Sequence, residues 1–134
     1  MTQKIEAFFQ KDTYAELTGI KLLDVSEGRA KAMLAVTENH LNSAGTVHGG
    51  VIFTLADFAF EVASNSYGTL AVAINAQISF FKAVSAGVLY ADAKEVSLHP
   101  KLASYSIDVT NENGELIATF QGMVYRKKDM LNIK

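Results

Sequence analysis

The stretch HGGVIFTLADFAFEVAS, residues 48–64, holds two carboxylates, Asp57 and Glu61, behind a pair of glycines, Gly49 and Gly50. Glycines at a helix start leave the first N–H groups uncovered at the positive end of the helix dipole, where an anionic oxygen is favoured. A carboxylate further along the same helix can serve as nucleophile or general base. These parts suit attack on a carbonyl, with an oxyanion hole at Gly49 and the reacting group at Asp57. Each part also has a plainer reading. Asp57 and Glu61 suit a pair that hydrogen-bonds to backbone or faces a water-filled subunit boundary, and paired glycines also allow a sharp loop-to-helix turn.

Asp57 follows Gly49 by eight residues. On one α-helix that is roughly 12 Å along the axis, at ~1.5 Å per residue. An oxyanion donor and a reacting group must each come within ~3 Å of the same carbon, so one helix cannot supply both. Two such helices packed antiparallel about a two-fold axis would set Gly49 of one chain near Asp57 of the other, giving two equal sites per dimer.

The helix that must carry these groups is expected over residues 51–63. Gly50, Phe53, Asp57, Glu61 and Ser64 fall in one stripe, while Val51, Ile52, Leu55, Ala59, Val62 and Ala63 cover the rest. A helix so apolar belongs inside a domain, where a carboxylate is costly unless paired or protonated. Gly68 offers its stop. Before it, apolar spacing predicts one helix over residues 3–17, with Ile5, Phe8 and Phe9 on one side. A hairpin over residues 20–36 turns at Ser26-Glu27-Gly28-Arg29, and the polar loop ENHLNSAGT follows. After it, Val72, Ile74, Ala76, Ile78 and Phe80 alternate with Asn75, Gln77 and Ser79, which predicts a half-polar strand. Three extended runs close the chain, VLYADAKEVSL, LASYSIDVT and ELIATFQGMVYRK, the last two joined by Asn111-Glu112-Asn113-Gly114. Consecutive hairpins imply an antiparallel sheet, and the whole is an α+β domain whose sheet covers the long helix.

Composition narrows the functions. The 134 residues, 49% hydrophobic, fit one domain spanning 1–134. A net charge of −2 creates no field favouring nucleic acid or a membrane surface. With no cysteine and three scattered histidines, neither thiolate chemistry nor a metal-ligand cluster is expected, and no metal is assigned. The N-terminal MTQKIEAFFQKDTYAEL lacks the apolar core of a signal peptide, and residues 51–63 are too short to cross a bilayer, which takes ~20 residues. A cytoplasmic location is expected.

Asn42, His48, Gly49, Gly50 and Asp57, in NSAGTVHGGVIFTLAD, resemble the signature of hotdog-fold acyl-CoA thioesterases of the phenylacetic-acid-degradation type, and the likeness extends over residues 18–127. The resemblance implies a hotdog fold, an antiparallel sheet wrapped round a long central helix. It implies that Gly49 donates its N–H to the thioester carbonyl, that Asp57 of the partner chain attacks or activates water, and that His48 and Asn42 order that arrangement. It further implies an acyl-CoA substrate, possible contacts from Gly50 and Glu61, no separate cofactor, a homodimer required for the site and a homotetramer overall.

Two positions depart from that pattern. Glu61 stands where some relatives carry a hydroxyl residue, and is suited to hold water, to raise Asp57 by like-charge repulsion, or to serve structure alone. Lys82-Ala83 stands where relatives often have Arg-Pro, keeping charge without the fixed turn. Lys82, His99 and Lys101 are the basic candidates for coenzyme A phosphates, with ordinary solvated charge as the alternative. Phe53, Phe58, Phe60, Phe80 and Phe81 suit either an aryl pocket or plain core. The rival functions are a hotdog dehydratase, which would favour histidine in place of the helix acid, a non-catalytic acyl-CoA-binding protein, and a purely structural role.

Overall fold

The computed structural model describes residues 2–131. Two short helices, α1 (Thr2–Phe9) and α2 (Thr13–Thr18), lead into a hairpin of β1 (Ile20–Ser26) and β2 (Arg29–Ala35). A 3-10 turn over Glu38–His40 and a loop bring the chain to α3 (Gly49–Ser64). Four long strands follow: β3 (Thr69–Phe80), β4 (Val88–Leu98), β5 (Leu102–Asn111) and β6 (Leu116–Met130). All six strands form one antiparallel sheet in the order β1-β2-β4-β5-β6-β3. Its inner face wraps α3, the α+β arrangement expected of a hotdog fold.

Burial explains why α3 is the axis of the core. Leu55, Ala56, Ala59, Phe60, Val62 and Ala63 are fully enclosed, so only a narrow seam with Asp57 and Glu61 reaches outward. The helix end is fastened to the sheet. Asn65 donates from Nδ2 to the Glu61 carbonyl (2.8 Å) and accepts at Oδ1 from Ala71 N–H (2.9 Å), while Ser66 Oγ accepts from Gly28 N–H (2.7 Å). Gly68, at φ +90°, therefore turns the chain into β3 rather than ending the helix, which already stops at Ser64.

Two further expectations need correction. The single N-terminal helix is two, because the Asp12 carboxylate accepts from Ala15 N–H (3.0 Å) and starts a new helix where apolar spacing alone runs on. The alternation of β3 also breaks. Ala73 pairs with Val124 and Asn75 with Met123, leaving Ile74 as a bulge. Ile78 and Phe80 thus share the inner face with Phe120 and Ala118, whereas Val72 lies outside beside Tyr125.

Gly122 of β6 shows how tightly the sheet closes on α3. A Cβ placed there would lie 2.5 Å from Phe60 Cζ. That ring is held by Phe120 and Tyr105, with centroids 5.5 and 5.9 Å away. Gly122→Ala should destabilise the fold by about 1–2 kcal/mol, overpacking outweighing the gain from replacing a strand glycine. Urea denaturation checks this: an unchanged midpoint would show that Phe60 can yield.

Candidate active site

The start of α3 is built from outside the helix. Buried His40 accepts at Nδ1 from Thr37 N–H (2.9 Å), and its Nε2 meets the Thr18 carbonyl (2.6 Å). The His40 carbonyl accepts from His48 N–H (2.8 Å), which fixes the residue before the helix. Asn42 shapes the intervening loop, its Oδ1 accepting from Ala44 N–H (3.0 Å), Thr46 N–H (3.1 Å) and the Thr46 hydroxyl (3.2 Å). It acts here as a positioning residue whose side-chain oxygen is already committed.

His48 caps α3. Its Nδ1 accepts from Gly50 N–H (3.0 Å), and its carbonyl accepts from Val51 N–H (2.9 Å). Among the described residues, Gly49 N–H is left without an acceptor. Neither Gly49 nor Gly50 has positive φ, so the turn itself does not demand glycine. What demands it is close approach. A Cβ on Gly49 would press on the Phe80 ring at 3.3 Å, and one on Gly50 on the His48 ring at 3.2 Å. The geometry leaves one free amide at the positive end of a long buried helix, under the edge of an aromatic ring.

Asp57 and Glu61 lie one turn apart in the half-buried seam, and neither carboxylate accepts a hydrogen bond from the described residues. Of the two plainer readings, hydrogen bonding of these carboxylates to backbone is absent among the described residues. Burial raises Asp57 above the ordinary aspartate value, and the charge of Asp12 raises it further. Glu61 is pushed up to about 7, by burial first, then by Asp57 and Asp12. Glu61 is therefore poised to change charge near neutral pH, one turn from an Asp57 that is itself raised. Asp12 is absent from the candidates read from sequence. Its signal was the Asp-Thr start of α2, which marks a cap but not what the cap faces.

The basic candidates do not gather in one chain. The Lys82 ammonium pairs with the exposed Glu115 carboxylate, beside the Ile117 end of β6. His99 and Lys101 lie at the opposite end, where their carbonyls accept from Arg126 (2.9 and 2.7 Å). Arg126 stands nine positions along the strand from Ile117, which is roughly 30 Å at ~3.3 Å per residue. Of the phenylalanines, Phe58 and Phe60 are buried and Phe53 packs on Phe120 at 5.2 Å, so these serve the core, whereas Phe80 and Phe81 are exposed. No helix among the described residues is long and apolar enough to cross a membrane.

Comparison with known proteins fits this geometry. The family model described as the thioesterase superfamily matches residues 44–118, from the loop before α3 into β6. A protein of Archaeoglobus fulgidus named as a candidate esterase is 44% identical over 128 residues, covering 94% of this chain and 83% of its own. An Escherichia coli acyl-coenzyme A thioesterase, PaaI, is 34% identical over 125 residues, covering 92% of this chain and 89% of its own. The solved structure of the E. coli PaaI protein from the phenylacetic acid degradation operon superposes with a TM-score of 0.91 at 32% identity, covering 96% of this chain and 94% of that one.

Proposed function

The chain belongs to the thioesterase superfamily, a family of thioester hydrolases, and from that premise we propose that it hydrolyses acyl-coenzyme A at sites shared between two chains. The observation that carries this reading is α3 itself: among the described residues, an amide without a partner at its first residue and, two turns on, a carboxylate without one. Gly49 of one chain donates its N–H to the thioester oxygen, where negative charge develops as the carbonyl is attacked. Asp57 of the partner subunit supplies the attack, directly or through water. His48 holds the amide in place by capping the helix, and Asn42 holds His48 by shaping the loop.

The sheet supports the pairing. β3 is an edge strand of 12 residues with one side unpaired among the described residues. Antiparallel pairing of two such edges would lay two copies of α3 side by side in opposite directions, the arrangement that sets Gly49 beside Asp57. The same pairing would carry the Lys82 end of one chain toward the Lys101 end of the other, reuniting the basic groups that one chain keeps apart. Coenzyme A phosphates would lie there.

A hydrolysis screen tests the reading. Purified protein mixed with acetyl-, hexanoyl-, long-chain and aryl-CoA should release free thiol from at least one of them, and a chelator should leave the rate unchanged. Absence of thiol release across the whole series, from folded dimeric protein, would overturn it.

A further inference from the structure

Between α1, the start of α2 and the first half of β3 lies a cleft of about 720 Å³ that opens beside α3. Its walls are mostly apolar, with Phe8, Phe9, Phe60, Leu70, Ala73 and Val124 among them. Two carboxylates reach it, Glu61 from α3 and Asp12 from the α1–α2 junction. That junction is pinned. Phe9 packs edge-on against Phe58 of α3 at 5.9 Å, Asp12 N–H donates to the Phe9 carbonyl (3.1 Å), and the Asp12 carboxylate caps α2 through Ala15 N–H (3.0 Å). The Asp12 charge cannot swing away from the cleft without uncapping the helix.

We propose, resting on the thioesterase reading above, that this cleft receives the acyl chain and that Asp12 restricts it to uncharged chains, excluding acyl groups that end in a carboxylate. Glu61 stands one turn beyond Asp57, about 6 Å along the helix, so an acyl chain whose carbonyl sits at Asp57 needs about five carbons before its end enters the cleft. Acetyl falls short and hexanoyl reaches. A chain of the same length ending in a carboxylate would bring a third negative charge between Asp12 and Glu61, in a half-buried space where like charges repel most strongly. Among the described residues, the charged groups lining that space are Glu61 from α3 and Asp12 and Lys11 from the junction, with Asp57 one turn away acting on Glu61; the cleft residues of β3 and β6, Leu70, Ala71, Val72, Ala73 and Val124, bring no charge. Lys11 holds its ammonium over the Phe8 ring, 5.0 Å from the centroid.

The test compares hexanoyl-CoA with glutaryl-CoA, close in length and differing in the terminal carboxylate. Near pH 8 the wild type should prefer hexanoyl-CoA by about a hundredfold in kcat/KM. The preference should weaken toward pH 6 as Glu61, at about 7, gains its proton and the cleft loses charge. Asp12→Ser keeps a capping oxygen and removes the charge, and should reduce the hexanoyl-to-glutaryl ratio about tenfold; Asp12→Asn should do the same. A role confined to folding would lower both rates together and leave the ratio alone. An unchanged ratio in the folded variants, or a wild type that favours glutaryl-CoA because Lys11 captures the carboxylate, would overturn the assignment of the cleft. No hydrolysis of any acyl-CoA by the wild type would instead remove the thioesterase reading and this inference with it.

Discussion

Replacing Asp57 with asparagine should lower kcat by at least about 10²- to 10⁴-fold, the range for losing a positioned base, and by more if the carboxylate is itself the nucleophile. The protein should not become less stable. In the folded chain burial and Asp12 raise the Asp57 carboxyl above its ordinary value, so its contribution to stability is present at low pH and is lost as pH rises through the folded value. Asparagine carries no such loss, and it also removes the Asp57 charge that helps push Glu61 up to about 7. Near pH 8 the variant should therefore melt at or above the wild-type temperature while its activity disappears. Activity in the wild type should fall on acidification through a value above that of a surface aspartate, since only the ionised group attacks or accepts a proton. Near-normal kcat in Asp57→Asn would remove it from the chemistry, whatever its burial.

Subunit exchange tests the shared site itself. Gly49→Pro deletes the only N–H at the start of α3 that lacks an acceptor among the described residues, and proline is tolerated in a first helical turn. Homodimers of Gly49→Pro and of Asp57→Asn should each be nearly inactive. In a mixed dimer one site holds both lesions and the other holds neither. Random exchange makes about half the dimers mixed, each with one sound site of two, so kcat should recover to about a quarter of wild type. Mass spectrometry of the intact dimers verifies the exchange, and circular dichroism the folding of each variant. Exchange without recovery would place Asp57 at work beside its own chain's amide, against the ~12 Å that eight residues of helix impose.

Much of the fold was legible because alternation and turn chemistry are local. The β1–β2 hairpin needed only Gly28 and its flanking runs, and α3 needed only its apolar circumference. What escaped was decided by partners distant in sequence. Asp12 sits inside an apolar period that continues through it and masks its cap signal, and what the cap faces is fixed only once Phe9 has docked on Phe58. His40 looked like one of three scattered histidines until Thr18 and Thr37 closed on it. Gly122 reads as an ordinary strand glycine until Phe60 arrives from α3. For the candidate site, the placement of Gly49, Asp57 and Glu61 on one helix was legible from spacing. The commitment of Lys82 to Glu115 was not, because the two are joined only by the pairing of β3 with β6.

The bulge at Ile74 divides β3 into two segments with opposite phase. Ala71 and Ala73, before it, face the inside by odd number, and Ala76, Ile78 and Phe80, after it, face the inside by even number. The segment that borders the cleft and the segment whose ring covers Gly49 can thus change length or composition separately, provided that Ile74 or its equivalent absorbs the offset. An alignment of this chain with a relative that lacks the bulge must open its gap at residue 74. A gap placed anywhere else would stack inward side chains over outward ones in the same column, and would misreport which positions of the strand can exchange for one another.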